Sequence, residues 1–186
     1  MIEALLVSTG IVAVAEFGDK TQLLALVLAA RFGRPWPIIA GILVATVLNH
    51  GLAGLLGAWV TSNLGPDVMR WLLGASFLAM AAWVLVPDRL AENAGPIASR
   101  GGVFMVTLVA FFLAEMGDKT QVATVVLAAH YPQTLTVVAG TTLGMLLANL
   151  PAVLVGRQIA ARVSLRWLRA LAAALFAALG AVVLLT

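Results

Sequence analysis

The sequence predicts an all-α integral membrane protein with six transmembrane helices, laid out as two inverted three-helix repeats (3+3). Three observations point there. Of 186 residues, 62% are apolar and only 10% are charged, against about 45–50% and about 25% in an ordinary soluble domain. The apolar residues fall into six runs separated at Pro, Gly and charge clusters, and since a span needs about 20 residues, six of them with short connections use up the chain. Finally, the string EFGDKTQ at 16–22 returns as EMGDKTQ at 115–121, 99 positions later.

The spans run, in order, over 2–30, 36–62, 67–86, 101–130, 133–156 and 165–185. The first follows Met1-Ile2-Glu3, which lacks the basic n-region of a signal peptide, so it reads as a retained span. Residues 87–100, PDRLAENAGPIASR, form the longest connection, polar with two prolines. They read as a linker between a first repeat, 1–86, and a second, 101–186. The 99-residue offset also maps Ala29-Ala30 onto Ala128-Ala129, Gly41 onto Gly140 and Gly57 onto Gly156, so the chain is an internal duplication. Each repeat has an odd number of spans, so the second must enter the membrane from the opposite side to the first.

Arginine sets the orientation. Arg31, Arg34, Arg89, Arg100, Arg157, Arg162, Arg166 and Arg169 fall on one side of this layout and Arg70 alone on the other. The positive-inside rule makes the eight cytoplasmic, with the linker inside and both termini outside. That reading also accounts for the pI near 10.2 without nucleic acid. Trp36, Trp59, Trp71 and Trp167 sit near span ends, as in an aromatic belt. The absence of cysteine excludes disulfides and thiolate chemistry. Two glycine- or alanine-rich stretches, 51–57 and 170–181, read as close helix packing, since neither follows a strand as a nucleotide loop would.

Each repeated string puts a Glu, an Asp and a Lys deep in an apolar span: Glu16, Asp19 and Lys20, then Glu115, Asp118 and Lys119. Six charges facing lipid would cost about 15–20 kcal/mol, so they must face one another, water or an ion. On a continuous helix, Glu16, Asp19, Lys20 and Gln22 share a face, as do Glu115, Asp118, Lys119 and Gln121. This predicts a polar stripe about two turns long in each repeat. Gly18 and Gly117 interrupt it, where a neighbouring backbone can approach or the helix can unwind. Glu16 and Glu115 each lie about 22 Å from one end of their spans, near the midplane, so inverted symmetry brings the four carboxylates together.

Four carboxylates and two lysines leave a charge of about −2, which a divalent cation neutralises and two protons neutralise equally well. Such a set titrates as one coupled system, holding a cation or protons in exchange. The oxygen donors of Glu16, Asp19, Glu115 and Asp118, with Thr21, Thr120, Gln22 and Gln121 as further candidate ligands, suit hard ions such as Ca²⁺, Mg²⁺ or Mn²⁺. Asn49 and Asn149 reach similar depth and could lend a carbonyl or support a carboxylate. His50 and Met116 could contribute, but packing is the simpler role for each. No prosthetic group is implied.

Glu16-Phe17-Gly18-Asp19-Lys20-Thr21 and Glu115-Met116-Gly117-Asp118-Lys119-Thr120 match a duplicated E-x-G-D-[KR]-[ST] motif, and the chain thereby resembles the GDT family of small cation transporters. That family includes eukaryotic Golgi members and bacterial manganese exporters. The resemblance implies transport of Mn²⁺ and, in some members, Ca²⁺, in exchange for protons. It assigns the metal to Glu16, Asp19, Glu115 and Asp118, with Thr21 and Thr120 as weaker candidates. It implies a bacterial inner-membrane protein exporting Mn²⁺ from the cytoplasm, not an enzyme. One alternative is a divalent-cation channel or uniporter. A remote one is an intramembrane aspartyl protease, whose G-x-G-D motif would need Gly where Glu16 and Glu115 stand, and a Tyr-Asp partner where the single tyrosine, Tyr131, precedes Pro132.

Overall fold

The computed structural model describes residues 1–86, 102–155 and 165–185, and the linker read over 87–100 lies outside them. The described residues form eight α-helices and no strand: α1 (Ile2–Glu16), α2 (Lys20–Phe32), α3 (Pro35–Asn63), α4 (Pro66–Val84), α5 (Val103–Glu115), α6 (Lys119–His130), α7 (Thr134–Val155) and α8 (Leu165–Leu185). The duplication is visible in the helix starts. Lys20 and Lys119, Pro35 and Thr134, and Pro66 and Leu165 open α2 and α6, α3 and α7, and α4 and α8 at the same 99-residue offset. Pro35 and Pro66 suit a first turn, where the missing N–H costs no bond.

Two helices, Pro35–Asn63 and Thr134–Leu154, are by themselves long and apolar enough to cross a bilayer. The other segments match the apolar runs of the sequence with one correction. The first and fourth runs are not continuous helices; each stops at the Glu of its motif and restarts at the Lys. Gly18 has φ +82° and Gly117 φ +72°, a left-handed conformation that glycine alone adopts without strain and that no helix can continue through. The polar stripe expected on one helix face is therefore a helix break in each half.

The halves are interlocked. α1 packs most extensively on α7, α3 on α5, α6 and α7, and α4 on α8, each pair joining one half to the other. Equivalent close approaches seal these crossings. A Cβ at Gly41 would come within 2.7 Å of Thr107 Cβ and 2.9 Å of the Phe104 carbonyl, and one at Gly140 within 2.8 Å of the Leu5 carbonyl and 2.9 Å of Ser8 Cβ. Leu5 and Ser8 are the 99-offset equivalents of Phe104 and Thr107. The two apolar cores draw on both halves, one around Ile11, Phe77, Met80, Leu127 and Phe176, the other around Leu28, Ile38, Ile42, Phe111 and Val153.

Polarity is inverted relative to a protein in water. Glu16, Asp19, Gln22, Asn49, Glu115 and Asp118 are buried, while Leu52, Leu55, Trp59, Leu113 and Leu147 are exposed. An outer surface of this kind suits hydrocarbon. Trp36, Trp59, Trp71 and Trp167 are all exposed, as an interfacial belt requires.

Candidate metal centre

Each motif builds the same local device. After Glu16 closes α1, the Asp19 N–H bonds the Glu16 carbonyl at 3.0 Å, and in the second half the Asp118 N–H bonds the Glu115 carbonyl, also at 3.0 Å. Asp19 and Asp118 then stand at the N-cap positions of α2 and α6, where the helix dipole favours a negative charge. The N–H left over by each break is taken up by the glutamine four residues on: Gly18 N donates to Gln22 Oε1 at 2.9 Å and Gly117 N to Gln121 Oε1 at 2.7 Å. The Gln22 amide nitrogen donates in turn to the Ala148 carbonyl at 2.7 Å, and that of Gln121 to Asn49 Oδ1 at 3.4 Å. Both glutamines, candidate ligands in the sequence, have their amides engaged in bracing the breaks.

Side-chain hydroxyls orient the glutamates. Thr21 Oγ1 donates to Glu16 Oε2 at 2.6 Å and Thr120 Oγ1 to Glu115 Oε2 at 3.1 Å. Between the halves, one carboxylate oxygen each from Glu16, Asp19 and Asp118 lie within 4.8 Å of one another, a spacing that could hold one cation. Glu115 is not in that group of three. Relative exposure is 1% for Glu16, 7% for Asp19, 0% for Glu115 and 4% for Asp118, so the cluster is closed to bulk water. Glu115 Oε1 and Asp118 Oδ2 are buried without a hydrogen-bond partner among the described residues, and an acceptor left bare in the interior calls for a cation or a proton.

The lysines complete the charge. Lys20 Nζ pairs with Asp118 Oδ1 at 2.5 Å, a lysine of the first motif with an aspartate of the second. Lys119 Nζ donates to the Val86 carbonyl at 2.7 Å.

Asn49 joins this framework and Asn149 stands apart from it. Asn49 Nδ2 donates to the Phe112 carbonyl at 3.0 Å while its oxygen takes Gln121. Asn149 donates back to Met145, to the carbonyl and the sulfur, each at 3.0 Å. The 99-residue register explains the difference. It aligns Asn49 with Ala148, whose carbonyl receives Gln22, and His50 with Asn149, so the two asparagines are not equivalent and His50 has a polar counterpart. His50 is fully buried, and neither of its ring nitrogens has a partner among the described residues. Met116 is 57% exposed on the turn, so it does not pack in the interior. The bracing carbonyls of Phe112 and Ala148 were not singled out by the sequence, since a backbone acceptor has no residue signature; the 99-residue offset applied to Asn49 would have found Ala148.

The family model described as "Divalent cation/proton antiporter GDT1" matches residues 4–92 and 103–186. A protein of Vibrio cholerae described as "Putative manganese exporter" is 50% identical over 177 residues, covering 95% of this chain and 88% of that protein. A GDT1-like protein of Synechocystis is 28% identical over 183 residues, covering 88% of each chain, and GDT1-like protein 3 of Arabidopsis thaliana is 25% identical over 202 residues, covering 95% of this chain and 68% of that one. No solved structure matches the chain. With both halves matched and the two motifs meeting in one buried carboxylate cluster, the chain belongs to the GDT1 family of divalent cation/proton antiporters.

Proposed function

We propose that this chain exports Mn²⁺ from the bacterial cytoplasm across the inner membrane in exchange for protons, with Ca²⁺ as a further substrate. The observation that carries the reading is the approach of ligand oxygens from Glu16, Asp19 and Asp118, all buried and drawn from both motifs, to within 4.8 Å of one another. In this reading the two halves, 1–86 and 101–186, form six spans as an inverted 3+3 pair, α1 with α2 making one interrupted span and α5 with α6 another. Both termini lie outside and residues 87–100 lie in the cytoplasm. Helix breaks at membrane depth are where transporters build ion sites, because the freed backbone groups can be held by protein rather than lipid.

Glu16, Asp19 and Asp118 supply the cation's oxygens, and Glu115 joins them as the halves rock. Thr21 and Thr120 aim the two glutamates, Gln22 and Gln121 hold the breaks open, and Lys20 and Lys119 balance charge. Gly18 and Gly117 make the breaks possible, and Asn49 anchors Gln121. Removing the cation leaves carboxylates crowded in a dry interior, so the empty site takes protons before it reorients. Alternating access then couples the two flows. The test is Mn²⁺ movement in proteoliposomes under an imposed pH gradient. Exchange gives metal flux that follows the gradient and reverses with it; flux indifferent to the gradient would fit a uniporter or channel.

A further inference from the structure

In the orientation read from the sequence, Arg70 is the one arginine on the side away from the other eight, and the carboxylate cluster does not use it. It is exposed in the first turns of α4, over the neighbouring Trp71 ring at 5.9 Å, and makes no ion pair among the described residues. Asp67, one turn earlier, is exposed and does not pair with it. Glu3 is taken by Tyr131, whose hydroxyl donates to Glu3 Oε1 at 3.2 Å.

Beside Arg70 is a cavity of about 480 Å³ between α3, α4, α6 and α8, within the range of about 300–1,000 Å³ usual for ligand pockets. Its rim is exposed, at Thr61, Leu64 and Arg70, and its floor is buried and apolar, at Met69, Leu73 and Val183. Thr61 Oγ1 lies 3.0 Å from both the Gly57 and the Ala129 carbonyl, which occupies the nearest backbone acceptors and leaves Arg70 as the cation of the lining. Trp59 and Trp71, both exposed, stand on the same ends of α3 and α4. Tryptophans so placed mark the headgroup level of a bilayer.

A cation at that level, above an apolar floor, matches one kind of ligand. A lipid phosphate carries the negative oxygens, and the carbons beneath it are apolar. Guanidinium is always charged and binds phosphate oxygens two at a time. We propose that the cavity is a binding site for an anionic phospholipid of the phosphatidylglycerol type. Arg70 holds the phosphate, and Met69, Leu73 and Val183 lie under the glycerol and the first acyl carbons. A zwitterionic lipid brings its own cation next to Arg70 and binds less well. Since α3 and α4 belong to the first half and α6 and α8 to the second, the bound lipid bridges the halves.

The test is thermal unfolding of the purified protein in neutral detergent micelles, titrated with phosphatidylglycerol, with phosphatidylcholine or with inorganic phosphate. The expected result is a saturable rise in melting temperature with phosphatidylglycerol. It is half-complete at about fivefold lower concentration than with phosphatidylcholine, as one arginine at a membrane surface implies. Arg70→Gln removes that difference, and Arg70→Lys keeps part of it. Arg34→Gln, at the opposite end of α3, keeps all of it.

Equal half-points for the two lipids in the parent overturn the proposal. So does an equal loss in Arg34→Gln, which would show unspecific attraction to the surface. A matching rise with inorganic phosphate alone overturns the lipid in favour of a free anion. Native mass spectrometry supplies the count, with one phosphatidylglycerol retained per chain by the parent and none by Arg70→Gln. Equal retention by the two also overturns the site.

Discussion

Lys20 of the first motif and Asp118 of the second meet at 2.5 Å, in a pair that crosses from one half of the chain to the other. Neither residue is neutralised within its own motif by this contact, so each repeat depends on the other for charge balance. Asp118 is 4% exposed and the Lys20 side chain 26%, so removing Asp118 leaves an ammonium only partly reached by water, at a cost of about 1–3 kcal/mol.

Asp118→Asn is therefore expected to lower thermal stability and to cut Mn²⁺ flux about a hundredfold or more. Adding Lys20→Met removes the orphaned ammonium and should recover most of the stability while flux stays lost. Melting temperature and proteoliposome flux, measured on the same preparations, check both halves of the statement. Near-normal flux in Asp118→Asn or in Asp19→Asn would contradict the site.

Thr21 donates to Glu16 at 2.6 Å, and Thr120 to Glu115 at 3.1 Å. A hydrogen bond to a charged acceptor is worth about 1.5–3 kcal/mol. Thr21→Val is expected to weaken apparent Mn²⁺ affinity about tenfold or more, with Thr21→Ser close to the parent. Concentration dependence of initial flux distinguishes the two variants.

Gly18→Ala and Gly117→Ala should each destabilise by about 1–2 kcal/mol, the cost of placing a side chain in left-handed backbone. They should also reduce transport, because the break sets the positions of Asp19 and Asp118. Gly10→Ala, where an added Cβ meets nothing within 4 Å, is the control and is expected to leave both properties unchanged. Thermal unfolding and flux of the three variants decide the matter.

Gly41→Val and Gly140→Val test the interlocking of the halves. An added Cβ at either position falls within 3 Å of α5 or α1 atoms, and overpacking of this kind costs about 1–3 kcal/mol. Equal losses of stability in the two variants are expected from their equivalent surroundings, read as matched shifts in melting temperature.

Helix positions and the duplication were legible in the sequence because apolar runs and a seven-residue repeat survive any detail of packing. The boundaries of α3, α4 and α8 fall within a residue or two of the apolar runs. The breaks at 17–19 and 116–118 were read only as one of two outcomes at Gly18 and Gly117, since hydropathy continues through them and the sign of a glycine φ angle decides between a helix and a turn. Of the candidate residues, Glu16, Asp19 and Asp118 come together, and Thr21 and Thr120 sit on the glutamates. The roles of Gln22 and Gln121 were obscured because most of their partners are backbone groups, and Asn49 and Asn149, read at similar depth, hold different partners because they are not equivalent in the 99-residue register.

The central claim is that both motifs contribute to one cation site. Its most direct test is the stoichiometry of Mn²⁺ binding to the purified protein by equilibrium dialysis, with Asp19→Asn and Asp118→Asn beside the parent. The expected result is one Mn²⁺ per chain, lost in either variant. Two ions per chain, with one retained in each variant, would show two independent sites and contradict the account.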